Sequence, residues 1–134
     1  MTMTMTRPLR ALLIAHGVVT LAAAVALAAV PAAIPATVGI ALQPDAFLLS
    51  YLLAAAELAI GILSLGAARL NDAAALRLIV TVFVVFHLAT AALETLHLGL
   101  TGLDPVIIAN IAVRLAVSAA FLALGRPRRD AANG

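Results

Sequence analysis

The fold class this sequence predicts is all-α: an integral membrane four-helix bundle with both termini cytoplasmic. Three observations predict it. The 134 residues are 65% hydrophobic and only 10% charged, with a mean hydropathy of +1.19, whereas soluble domains run near 45–50% apolar and about 25% charged. Four apolar stretches each cover the roughly 20 residues that a membrane helix needs. The arginines collect beside alternate breaks between those stretches.

Taken in order, the first span covers about 9–30, preceded by Arg7 and Arg10 and closed by Pro31, Pro35, Gly39 and Pro44. Its flanks mimic a secretory signal with Ala26-Leu27-Ala28 as a cleavage site, but the apolar run is longer than an ordinary signal core. The Met-Thr repeat over 1–6 carries no arguable function. The segment 31–45 stays apolar and proline-rich, so it reads as a connector packed on the helix ends or a cover over the bundle mouth. The second span, about 46–68, ends at Asn71-Asp72; the third, about 73–98, ends at Gly99 and Gly102. The fourth, about 105–124, begins with Asp104 as N-cap and Pro105 at the first helical position. The whole of 1–134 reads as one four-span domain, with no repeat of 20–50 residues.

Orientation follows from the arginines. Arg7 and Arg10 precede the first span, Arg69 and Arg77 flank the second loop, and Arg126, Arg128 and Arg129 follow the fourth span, while the first and third loops hold no basic residue. Seven of eight arginines thereby lie on one side, which the positive-inside rule makes cytoplasmic. The abundance of Ala, Leu and Val with arginine and no lysine points to a high-GC bacterial genome, hence a bacterial inner membrane.

Several function classes fall away. Eight thinly spread arginines build no continuous basic surface, so nucleic acid is not a partner despite a pI near 10.5. The absence of cysteine removes disulfides, thiol chemistry and zinc-thiolate or iron-sulfur sites. The single Glu94-x-x-His97 step resembles half of a di-iron motif that needs it twice. His87 and His97 are ten residues apart, about 15 Å along a helix, too far to share an ion. His16 reads as an interfacial histidine at a different depth from His87, ill placed for bis-histidine haem. No metal or other cofactor is expected.

Ionisable groups inside a membrane are costly and point inward, so they locate function. At about 1.5 Å per residue, Glu57, His87 and Arg114 fall near the midplane, with Glu94 and Asn110 nearer the outer surface. His87, Thr90, Glu94 and His97 form one helical face of the third span; Asn110, Arg114 and Ser118 are spaced by four, and Ser50, Glu57 and Ser64 by seven. One reading is structural, a Glu57–Arg114 ion pair completed by His87 and Asn110 that locks the bundle in register. Against it stands an excess of groups: two carboxyls and a histidine face one arginine. A carboxyl left unpaired in apolar surroundings stays protonated and can donate, and a neutral His87 can accept or relay.

The candidate catalytic set is therefore Glu57, His87, Glu94, Arg114 and Asn110. Glu94 or Glu57 is the acid, His87 the base or relay, Arg114 the charge stabiliser and Asn110 an orienting donor. Such a set suits isomerisation, epoxide opening or cyclisation of a lipid-soluble substrate, and no serine has a nucleophile motif around it. The expected partners are membrane lipid and an apolar small-molecule substrate, and the Ala/Gly-rich stretch 61–68 permits tight packing within a chain or between copies of a homo-oligomer. Two other classes use the same residues: a proton-coupled or anion transporter, and a non-catalytic accessory subunit whose polar seam binds a partner or quinone. The small multidrug exporters share the four short helices but carry their glutamate in the first, where this chain has only His16 and Thr20.

The helix plan, with a first helix ending in prolines, "AELAIGILSLGAARL" in the second and a short fourth helix with a basic tail, resembles the DoxX-like group of small four-helix bacterial membrane proteins. The resemblance implies architecture only. The inventory of carboxylates, histidine and asparagine is also similar in kind to the emopamil-binding sterol isomerases, from which the lack of tryptophan is a departure. Neither resemblance transfers a site residue.

Overall fold

The computed structural model of the protein describes residues 5–125. The arginines at 126, 128 and 129, and residues 1–4 of the Met-Thr repeat, lie outside the described residues. Within them the chain is all-helical, without strands: α1 (Arg7–Ala29), a single turn α2 (Ala33–Ala36), a 3-10 turn (Pro44–Ala46), α3 (Phe47–Ala67), α4 (Ala73–Thr101) and α5 (Pro105–Leu124). Four helices are long and apolar enough to cross a membrane. Their outer faces carry bare aliphatic side chains such as Val19, Leu78 and Leu93, each about two-thirds exposed, a surface suited to lipid rather than water.

Local chemistry sets the helix ends. Thr6 Oγ1 accepts the Leu9 amide at the start of α1, and Asp72 Oδ1 accepts the Ala75 amide (2.6 Å) at the start of α4. Asp104 Oδ1 accepts two amides, from Val106 (2.8 Å) and Ile107 (3.0 Å), with Pro105 following it, which satisfies donors otherwise left bare at a helix start. One boundary differs from the sequence reading. Gly99 does not end the third span; α4 runs on to Thr101 and stops where Gly102 takes a left-handed φ of 103°. A lone glycine costs a helix only about 1 kcal/mol, which an apolar run absorbs, whereas a positive φ ends the ladder.

The helices run up-down-up-down. Going round the bundle, α1 neighbours α3 and α5, and α4 neighbours α3 and α5, with the α1–α3 and α4–α5 contacts much the more extensive. Across the two diagonals, α1 to α4 and α3 to α5, no Cα pair lies within 8 Å among the described residues. The α1–α3 pair closes on glycine: a Cβ on Gly17 would meet Leu65 at 2.8 Å and the Gly61 carbonyl oxygen at 3.1 Å, and one on Gly61 would meet Leu21 at 2.7 Å and the Gly17 carbonyl oxygen at 3.2 Å. Small residues let helix backbones approach this closely.

The two ends of the bundle differ. At the end bearing the chain termini, Leu9, Leu13, Leu76, Val80, Phe83 and Phe121 form the core, with Leu13 and Phe121 fully buried. Toward the other end the helices part. There the connector is no free loop: Ser50 Oγ donates to the Pro31 carbonyl (2.7 Å), and Ile34, Val38, Ile40 and Leu42 form one wall of an open groove.

Candidate functional site

Two adjacent spaces occupy this part of the bundle. The narrower, about 390 Å³, lies at mid-bundle and is lined by His16, Thr20, Glu57, Phe86, His87 and Arg114 among others. The wider, about 790 Å³, runs beneath the connector between Leu27, Leu49, Leu53 and Val106, with Glu94 and His97 on its α4 side. Asn110, Val113 and Arg114 line both, so the two lie side by side along this stretch of α5.

Glu57, His87, Glu94, Asn110 and Arg114 therefore all border one of these spaces. Their pairing differs from the register-locking alternative. Arg114 is bonded not to Glu57 but to Glu94, with Nε donating to Oε1 at 3.1 Å, and Asn110 Nδ2 donates to the same oxygen at 2.6 Å. The reason is topological: α4 and α5 are neighbours joined by a short turn, whereas α3 faces α5 across the bundle. The Arg114 guanidinium also lies 6.0 Å from the centre of the Phe86 ring, the outer limit of a cation–π contact. Glu57, half-buried, makes no hydrogen bond or ion pair among the described residues.

The second correction concerns His16. It is not an isolated interfacial residue; its Nε2 lies 3.0 Å from His87 Nε2 across the α1–α4 diagonal. Phe83 and Phe121 pack against it, with ring centres at 4.8 and 5.3 Å, and against each other at 5.5 Å. Its other nitrogen, Nδ1, is 3.0 Å from Ser64 Oγ, and Ser64 in turn donates to the Leu13 carbonyl at 2.8 Å.

This chain has a direction. A serine has one proton, and that of Ser64 goes to Leu13, so Ser64 accepts from His16 Nδ1–H. In the neutral ring His16 Nε2 is then a bare acceptor, and His87 must supply the Nε2–H. That leaves His87 Nδ1 as an acceptor, and it is buried with no partner. Glu94 Oε2 and Ser118 Oγ are the other buried polar atoms in the same condition. Orphaned buried polar atoms are uncommon enough in folded proteins to mark a place for something else.

The polar face of α4 divides in two. His87 and Glu94 point inward, Thr90 turns its hydroxyl back onto the Phe86 carbonyl (2.8 Å), and His97 lies at an exposed rim of the groove. On α3, Ser50, Glu57 and Ser64 all belong to the inner face, but only Ser64 joins the histidine chain. The sequence reading left His16 and the Ser64 link out of the site. The available signal was the position of His16 beside Leu13, Gly17 and Thr20, all buried on the inner face of α1.

No family model, curated protein or solved structure matches this chain. The chemistry of the site rests on its own residues.

Proposed function

We propose that this protein is a small multi-pass enzyme of a bacterial inner membrane, with both chain ends cytoplasmic, that performs acid/base chemistry on a lipid-soluble substrate. One observation carries the reading: the unpaired Glu57 carboxyl lines one cavity with Arg114 and with His87, the residue that ends the histidine chain. Since Arg114 and Asn110 engage Glu94, Glu57 is the acid of the pair of carboxyls. From this half-buried position it delivers a proton to one carbon of a substrate double bond, and His87 removes one from the allylic carbon beyond the other end of that bond; the double bond moves by one position, an isomerisation that needs no other reactant. Arg114 stabilises negative charge that develops on a substrate oxygen. Epoxide opening and cyclisation begin with the same proton delivery.

Transport through the same cavity would require a route to the terminal end, which Leu13, Phe83 and Phe121 fill. The test uses solvent protons. The protein in lipid nanodiscs is incubated in heavy water with bacterial lipid extract, and mass spectrometry follows deuterium entering carbon positions of any lipid. Uptake that disappears in Glu57→Gln and His87→Phe, both still folded by circular dichroism, supports the reading. A wild-type sample that labels nothing beyond those variants overturns it and favours an accessory subunit.

A further inference from the structure

The three buried orphan atoms are not a random set. Glu94 pairs with Arg114 and Asn110 through Oε1, which leaves Oε2 as the free oxygen of the carboxylate, an acceptor. His87 Nδ1 is an acceptor by the direction of the Leu13–Ser64–His16–His87 chain. Ser118 Oγ can act either way. Glu94 Oε2 and His87 Nδ1 each lack a donor, and neither a hydrocarbon, an ether, a ketone nor an epoxide can bring one.

The guanidinium beside Glu94 carries the complementary need. Only its Nε is bonded to protein among the described residues, so the two Nη groups of Arg114 retain their protons for a ligand. An aligned fork would have placed an Nη on Oε2; here Oε1 takes both Arg114 and Asn110, and Oε2 stays empty. A single group that donates to Oε2 and accepts from Nη closes this gap, and a hydroxyl does both. The adjoining groove sets the rest of the ligand. At about 790 Å³ it holds on the order of 25 non-hydrogen atoms at ~30 Å³ each, the share of a water molecule in the liquid. Its walls are Leu27, Ile34, Val38, Ile40, Leu49 and Leu53.

We infer that the site binds a lipid alcohol, with its hydroxyl bridging Glu94 Oε2 and Arg114 where the two spaces lie side by side and its chain lying under the connector. The carbons next to the hydroxyl then face the narrow cavity that Glu57 and His87 share. The inference deepens the acid/base reading and rests on it for the chemistry after binding, but binding is measurable without turnover.

The experiment compares hexadecanol, its methyl ether and hexadecane as ligands of the full-length protein in detergent, by native mass spectrometry and titration calorimetry. Hexadecanol is expected to bind roughly tenfold more tightly than the ether, since the ether leaves the buried Oε2 acceptor unpaired. Glu94→Gln, which puts an amide donor where Oε2 stands, is expected to erase or invert that preference. Equal affinity for alcohol and ether, a preference that survives in Glu94→Gln, or no binding of any of the three overturns the inference. The wild-type comparison stands alone if the variant fails to fold. Alcohol binding without deuterium uptake sinks the enzyme reading and leaves the ligand class intact; uptake without alcohol preference does the reverse.

Discussion

Gly61 and Gly66 lie on the same helix and differ in what surrounds them, so alanine at each separates packing from helix propensity. Exchange of glycine for alanine inside a helix gains about 1 kcal/mol by propensity, and that gain is common to both sites. At Gly66 a Cβ meets nothing within 4 Å. At Gly61 it lands 2.7 Å from Leu21 and 3.2 Å from the Gly17 carbonyl oxygen. The Leu21 side chain can turn away; the backbone oxygen cannot, so α1 must move off α3. One methyl too many in a tight interface costs about 1–3 kcal/mol. Gly66→Ala is therefore expected to be more stable than wild type by up to about 1 kcal/mol. Gly61→Ala should fall about 1–3 kcal/mol below Gly66→Ala. Reversible unfolding in mixed detergent micelles, followed by helical circular dichroism, measures both. Equal stability of the two variants would refute the claim that glycine sets the α1–α3 distance. The same displacement draws Gly17 and its neighbour His16 away from Ser64, one helical turn from Gly61, so Gly61→Ala should also disturb the histidine chain.

Arg114→Met leaves the Glu94 carboxylate with Asn110 as its one donor and is expected to cost about 2–4 kcal/mol, the lower range because both side chains are about one-fifth exposed. Most of that loss should return in the double variant Glu94→Gln/Arg114→Met, while Glu57→Gln changes stability little because the carboxyl has no protein partner to lose. A cycle without coupling between positions 94 and 114 would show that the pair is not formed. Ser64→Ala removes the acceptor that fixes the His16 tautomer; nitrogen NMR of the imidazoles should show His16 protonated at Nδ1 and His87 at Nε2 in wild type and mixed forms in the variant. Wild-type spectra with the opposite assignment would reverse the direction of the chain. The protein has no cysteine, so Asn71→Cys reports orientation cleanly: an impermeant thiol reagent should label it in inverted but not in right-side-out vesicles, and the opposite pattern would invert the topology.

The spans were legible because they depend on composition and on local signals: the expected 105–124 matches Pro105–Leu124, and Asp104 caps it through two amides. The pairing of the polar groups was less so. Depth counted at ~1.5 Å per residue sets Glu57 and Arg114 at one level, but level alone does not say which helices are neighbours. Counting from the α4–α5 turn instead, Glu94 is seven residues before Thr101 and Arg114 nine after Pro105. At ~1.5 Å each these are about 10.5 and 13.5 Å deep, a gap that an arginine spans. His16 was placed too shallow by the same arithmetic. It lies nine residues into α1 against fourteen for His87 in α4, an offset of about 7.5 Å between level, ideal helices. Helices need not start level or stand parallel, and two imidazoles reaching across the bundle make up the rest. The direction of the Ser64 chain lay beyond any periodicity, since it depends on where one hydroxyl proton points.

The diagonal histidine pair poses the last question, whether it holds the bundle together or serves the cavity. Backbone contact between α1 and α4 is absent among the described residues, so the pair and the phenylalanines beside it are what joins them at this level. His87→Leu alone strips His16 Nε2 of its donor while Ser64 still holds the ring in place, and a buried acceptor left this way costs about 1–3 kcal/mol. Replacing both partners removes the demand as well as the supply. His16→Leu/His87→Leu puts two aliphatic side chains against Phe83 and Phe121, and Ser64 keeps its bond to the Leu13 carbonyl. Its unfolding midpoint in mixed micelles should therefore match or exceed that of either single variant. If it does, the polarity of the pair is dispensable to folding and belongs to the cavity it lines. A double variant less stable than both singles would make the pair a structural clasp, and the bare nitrogen of His87 would lose its standing as the base of the site.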